Sequence, residues 1–250
     1  MTQPHAPTTS ENWITTLPEL GLLELSGDDA PKFLQGQVTC DVLSVTDQTS
    51  TLGALCNAKG RVLTVFRLFK RESRFILVLP RQLVHDIAKR LRMYVLRSKV
   101  EIVDLDAEQV CLGMVGGIDR LGIPPAEISH SVTHGDGYAA VPVGTADRNR
   151  TLLIATAATA KRLLQQAEAA DFTKASAENW ALEEIRSGTP TVLPGTVEAF
   201  IPQMLNLDLL GGISFKRGCY TGQEVVARTH YLGAVKRRMY RLSAMSGAIP

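Results

Sequence analysis

Cys219 sits in the run KRGCYTGQE, after Lys216, Arg217 and Gly218 and before Tyr220, Thr221, Gly222, Gln223 and Glu224. A thiol in such a setting suits nucleophilic, redox or metal-ligand chemistry, all of which use the thiolate. Gly211 and Gly212 interrupt the chain, and residues 213–215 read as a short strand. Gly218 permits a sharp turn. Thr221 and Glu224 fit a T-x-x-E capping box, which predicts a helix from Gly222 through Ala227. Cys219 then lies just outside a helix N-terminus, where free N–H groups and the dipole favour negative charge. With Lys216 and Arg217 beside it, this placement predicts a lowered Cys219 pKa. The competing expectation is a small cysteine buried under the turn.

A second group of candidates surrounds Trp180. Ser176 is the expected cap of a helix that Gly188 and Pro190 end. Within it, Ala181, Leu182 and Ile185 fall on one apolar stripe, and Trp180 lies well off that stripe with Glu184 one turn on. Trp180 therefore either packs on another element or offers an aromatic face to a planar ligand. Downstream, Gln203, Asn206 and Asp208 stand among apolar neighbours. Amides offer donors and acceptors to a heterocycle edge, although a turn role suits Asn206 and Asp208 equally. His130 and His134 share one strand face, but no third metal ligand is near in sequence, so no metal site is expected.

The elements that must position these residues alternate in an α+β pattern. Strands are expected at 22–25, 52–55, 61–69, 75–79 and 100–103. Asp28 or Asp29 caps a short helix with Pro31 in its first turn. The clearest helix covers 81–96, with Val84, Ile87, Ala88, Leu91 and Val95 on one face. A second cycle follows: strands at 110–115, 129–134, 137–143 and 152–155, then a helix capped by Thr156. The turn 57–60 reads as a hairpin loop, with Lys59 a candidate for the mouth of a cavity. The expected organisation is a disordered tail over 1–14, a first α+β unit over 15–104 plus 175–250, and a second over 105–174.

Composition bounds the function. The 250 residues are 45% hydrophobic, enough for a sizeable core, and the net charge of +2 argues against wholesale nucleic-acid binding. Local basic clusters occur at 89–99 and 228–241; a solvated face is the plain explanation of the first, and a phosphate or polyglutamate contact the sharper one. Cys40, Cys56, Cys111 and Cys219 form no C-x-x-C pair, which suits reduced thiols better than a disulfide scaffold. The N-terminus lacks the regions of a secretory signal, and no apolar run approaches a membrane span. A soluble cytoplasmic protein is expected.

KRGCYTGQE resembles the signature of the YgfZ family, folate-binding relatives of the glycine-cleavage aminomethyltransferase. LSGDDAPKFLQGQVTCDV (25–42), NAKGRVLTVFRLF (57–69) and NWALEEIRSGTP (179–190) also resemble family blocks. The likeness covers most of residues 20–240 and is only general over about 105–172. It implies an aminomethyltransferase-like fold, plait units around a central cavity, with the family's C-terminal β-barrel absent from this chain. It implies a tetrahydrofolate or one-carbon-derivative site using Trp180, Glu184, Gln203, Asn206, Lys216, Arg217, Tyr220, Gln223 and Glu224. A second family tryptophan falls near Leu20, where this chain has no aromatic.

The implied function is accessory: support of iron–sulfur cluster assembly or repair, and so of cluster-dependent enzymes such as tRNA-modifying enzymes. Cys219 would be the essential thiolate, a transient cluster ligand or redox acceptor. Folate and iron–sulfur assembly or client proteins are the implied partners, with no direct nucleic acid and no membrane. A folate-dependent aminomethyltransferase-like C1 transferase is the alternative, and a folate-sensing scaffold without chemistry a third possibility. The transferases lack this cysteine, which favours the accessory role.

Overall fold

The computed structural model describes residues 12–105, 108–125, 131–143 and 149–243. His130 and part of the strand expected at 129–134 lie outside these. So does 1–11 of the expected tail. Trp13 and Ile14, however, belong to no tail. They sit in strand β1 (Trp13–Thr16), where Trp13 is 1% exposed. Burying so large an aromatic anchors the segment firmly.

The first sheet contains β2 (Leu20–Ser26), β3 (Ser50–Cys56), β4 (Val62–Arg71), β5 (Arg74–Pro80) and β6 (Glu101–Asp104). Its order is β3-β4-β5-β2-β6, antiparallel throughout. Two helices accompany it, α1 (Ala30–Gln35) and α2 (Arg81–Val95). The expected stripe of α2 is its buried face: Val84, Ile87, Ala88 and Leu91 pack in one core with Leu23, Leu25, Leu77 and Leu79. Asp29 is the N-cap of α1, but its carboxylate serves another strand connection, accepting from the Lys99 N–H at 2.7 Å.

The second sheet adds β7 (Gln109–Val115), β8 (Thr133–Gly135), β9 (Tyr138–Pro142), β10 (Arg150–Thr156) and β11 (Thr173–Lys174), in the order β11-β1-β7-β10-β9-β8. Only β1 and β11 pair in parallel. Helix α3 (Ala157–Ala169) covers one face, with Thr156 capping it by accepting from the Thr159 N–H.

Side-chain alternation divides each strand between two cores. In β2, Leu23 and Leu25 face α2, while Leu22 joins Trp13, Phe69, Ile76, Val78, Leu152 and Ile154 between the sheets. The layers are thus helix, sheet, sheet, helix, and neither sheet closes into a barrel. Helix α4 (Ala177–Ser187) lies beside this inter-sheet core and contributes Trp180 to it. No helix among the described residues is long and apolar enough to cross a membrane.

Candidate functional site

A cavity of about 760 Å³ opens where α4 meets the first sheet. Its wall is mainly apolar, from Leu20, Leu52, Val65, Val78 and Ile185, with Glu19, Arg67, Gln82, Glu184, Asn206 and Arg241 among its polar residues. Residues 239–241 close one side. The size lies within the roughly 300–1,000 Å³ of small-molecule sites, and an apolar wall with few polar groups is their usual make-up.

Helix α4 reaches the cavity in an unexpected orientation. Its apolar stripe does not meet the core: Ile185 is 56% exposed and Leu182 is also exposed, whereas Trp180 and Glu183 are the buried residues. Asn179 fixes the helix start, its Oδ1 accepting from the Ser176 N–H and hydroxyl. Gly188 ends the helix in the left-handed region. Ala181, Glu184 and Ile185 consequently turn toward the cavity.

Trp180 forms a buried wall rather than a free-standing platform. Its ring lies on Gly113 of β7, where a Cβ would come within 2.4 Å of the indole. Trp13 meets it edge-on with ring centroids 6.5 Å apart. The Arg150 guanidinium lies 5.0 Å from the ring centroid, a favourable cation–π contact in a desolvated place. Arg150 also donates to Glu184 at 2.8 Å, and to the Val143 carbonyl and the Ser187 hydroxyl at 3.0 Å each. Such a buried cation is tolerable because it is both paired and hydrogen-bonded.

Arg67 and Arg150 are the cationic side chains around this wall that the motif reading missed. Burial pushes the Arg67 pKa down to about 10; Glu184 favours its charge and Arg150 opposes it. It stays cationic at neutral pH. The available signal was an arginine between Phe66 and Leu68, inside the apolar run VFRLF of β4. Buried charges of that kind are rare unless paired or functional.

The signature segment forms a separate surface loop. None of residues 216–224 lines the cavity. Residues 213–215 form no strand; instead the Thr39 hydroxyl donates to the Gly212 carbonyl at 2.6 Å and the Ser214 N–H to the Thr39 carbonyl at 2.9 Å. Arg217 does not stand free beside the thiol. It donates to the carbonyls of Cys40 and Val38, and its guanidinium stacks 4.6 Å from the Tyr220 ring centroid. Tyr220 is buried, and burial raises its hydroxyl pKa.

The expected capping box does not form. Helix α5 (Gln223–Tyr231) has Gly222 at its N-cap, in the left-handed region at φ 84°. Gln223 reaches back instead, accepting from the Tyr220 N–H at 3.0 Å. Gly222 wins the cap because it presses on the 57–60 turn: a Cβ there would lie 2.4 Å from the Asn57 carbonyl oxygen. Gly222→Ala is therefore expected to lower the melting temperature by several degrees. The left-handed backbone alone costs about 1–2 kcal/mol, and the clash adds to it. Calorimetry checks this; an unchanged midpoint would show that the turn simply moves aside.

Cys219 is exposed at the loop tip, with Lys216 exposed three residues before it. Cys40, Cys56 and Cys111 are buried, and burial pushes the Cys40 and Cys56 thiols up to about 12. Glu224 is exposed in the first turn of α5.

Of the other expected residues, Gln203 serves the scaffold. It is 1% exposed, and its amide donates to the Val226 carbonyl at 2.7 Å. Asn206 lines the cavity while donating to the Met239 carbonyl at 2.9 Å. Asp208 holds Arg238 through two contacts of 2.9 and 2.8 Å. Burial opposes its charge, yet the Arg238 hydrogen bonds keep its carboxyl below the usual range. Those links fold residues 238–239 back onto the site. Leu20 lines the cavity, and Trp13 stands behind Trp180 rather than in Leu20's place.

His134 donates from Nε2 to the Asp47 carbonyl at 2.7 Å. Among the described residues no group of three or more His, Cys, Asp or Glu side chains is placed to hold a metal ion.

No protein-family model matches the chain. Curated proteins do. It is 37% identical over 243 residues to the tRNA-modifying protein YgfZ of Hamiltonella defensa, covering 95% of this chain and 71% of that one. The tRNA-modifying protein YgfZ of Vibrio atlanticus is 36% identical over 256 residues, covering 99% and 76%. Among solved structures, the glycine cleavage system aminomethyltransferase T from Bartonella henselae superposes with a TM-score of 0.70 at 14% identity. That match takes in 88% of this chain and 63% of the aminomethyltransferase, and shows the shared fold. With identity of this level sustained over nearly all of its length, the chain belongs to the YgfZ family.

Proposed function

We propose that this chain binds tetrahydrofolate or a one-carbon derivative in the α4 cavity. In the cytoplasm it thereby supports assembly or repair of iron–sulfur clusters on partner proteins, tRNA-modifying enzymes among them. The observation that carries this reading is the cavity itself. Its apolar wall suits a flat heterocycle, Asn206 and Glu184 offer edge contacts, and Arg67 supplies positive charge for a carboxylate tail. Membership of a family whose relatives are named tRNA-modifying proteins supports the cellular context.

In this reading Cys219 acts from outside the cavity. As thiolate it ligates a cluster transiently or accepts electrons. One cysteine does not hold a cluster alone, so the partner supplies the remaining ligands.

The test is expression of this chain in cells that lack their own family member. Restored levels of nucleosides made by iron–sulfur tRNA-modifying enzymes are expected; levels that stay at the deletion background would overturn the function.

A further inference from the structure

The chain's small net charge conceals a strong asymmetry. Residues 216–241 carry seven Lys and Arg against one acidic residue, Glu224, a formal +6 in a chain of +2 overall. The remainder is therefore −4. Arg217 and Arg238 are spent internally on carbonyls and on Asp208. Lys216, Arg228, Lys236 and Arg237 are exposed, and their side chains make no hydrogen bond or ion pair among the described residues. Lys59 adds to this surface, because its turn abuts Gly222 and Val225 at the start of α5.

Along the chain, aromatic residues alternate with these cations: Phe215, His230 and Tyr231 fall between or beside Lys216, Arg228, Lys236 and Arg237. Phe215 and His230 stack with centroids 3.7 Å apart and planes 13° from parallel. Tyr231 meets both edge-on and is 66% exposed. Fixed, exposed aromatic surface amid unpaired cations is what binds single-stranded nucleic acid, since cations follow the phosphates and rings stack on bases.

We propose that this ridge, formed by Phe215, α5 and the segment to Arg237, binds a single-stranded nucleic-acid segment. An acidic peptide would satisfy the cations but leave the aromatic rings without stacking partners. A duplex keeps its bases paired and unavailable to Tyr231. The ridge is independent of the folate reading, because its residues lie outside the cavity.

The test is fluorescence anisotropy of a short, unstructured, mixed-sequence RNA strand with the full chain. Saturable binding is expected, with log K falling against log salt at a slope of about −3.5, from five cations at about −0.7 each. Tyr231→Ala is expected to weaken binding about tenfold or more, with unchanged circular dichroism because the side chain is exposed. Arg228→Gln combined with Lys236→Gln and Arg237→Gln should flatten the salt slope. Three results would each overturn the proposal: no saturable binding at low salt, binding indifferent to these substitutions, or competition by polyglutamate as effective as by unlabelled RNA. The last would assign the ridge to an acidic protein.

Discussion

Cys219→Ser is expected to abolish support of iron–sulfur tRNA modification while leaving the melting temperature unchanged. The thiol is exposed at a loop tip and contributes nothing to a core, and serine keeps its shape. The other cysteines offer no substitute. Each is buried, and at Cys40 and Cys56 burial holds the thiol near 12, far from thiolate at neutral pH. Modified-nucleoside content in complemented deletion cells, with a melting curve on the purified variant, checks both halves. Full complementation would remove the cysteine chemistry while leaving the cavity untouched.

Trp180→Ala should act on two levels at once. Removing a large aromatic from the inter-sheet core costs about 3–5 kcal/mol, which lowers the melting temperature of a chain this size by roughly 10 °C. It also strips the wall that Gly113 and Arg150 hold in place. Tetrahydrofolate affinity is expected to fall about tenfold by calorimetry, equivalent to about 1.4 kcal/mol, because part of the apolar wall is lost. Trp180→Phe separates the two effects, since it keeps an aromatic wall and most of the stability. If Trp180→Phe were folded and Trp180→Ala, also folded, bound with unchanged affinity, the indole would have no part in the ligand site.

The sequence made the scaffold legible where the signal was local. The stripe on α2 needs only 3.6-residue periodicity, and it packs as that period requires. The strands of both sheets follow runs of β-branched and apolar residues. Thr156 caps α3 because its acceptor and donor are three residues apart.

What escaped depends on distant partners. Thr221 has the right chemistry for a cap, but Gly222 takes the position because the Asn57 carbonyl, from another part of the chain, leaves no room for a Cβ. Helix α4 reads as amphipathic with Leu182 and Ile185 inward. Its Trp180 outweighs that stripe by inserting between sheets, and Glu183 and Glu184 can turn inward because Arg186 and Arg150 neutralise them. Trp13 read as tail because four residues of strand carry little pattern, yet it completes the floor under Trp180.

The candidate site was likewise half legible. Trp180, Glu184 and Asn206 converge on the cavity; Gln203, Arg217, Tyr220 and Gln223 secure the scaffold, and Lys216, Cys219 and Glu224 lie on the surface. Proximity in sequence to a signature cysteine does not distinguish a side chain that faces a ligand from one that braces the loop.

The central claim of the proposed function is that the α4 cavity holds tetrahydrofolate. The chain has two tryptophans: Trp180 lines the cavity and Trp13 packs edge-on against it, behind the cavity wall, so their emission reports on that space. Titration with tetrahydrofolate, corrected for absorbance by the ligand, is expected to give a saturable change that fits one site per chain. A corrected emission that stays flat through saturating ligand, with no binding heat in parallel calorimetry, would contradict it.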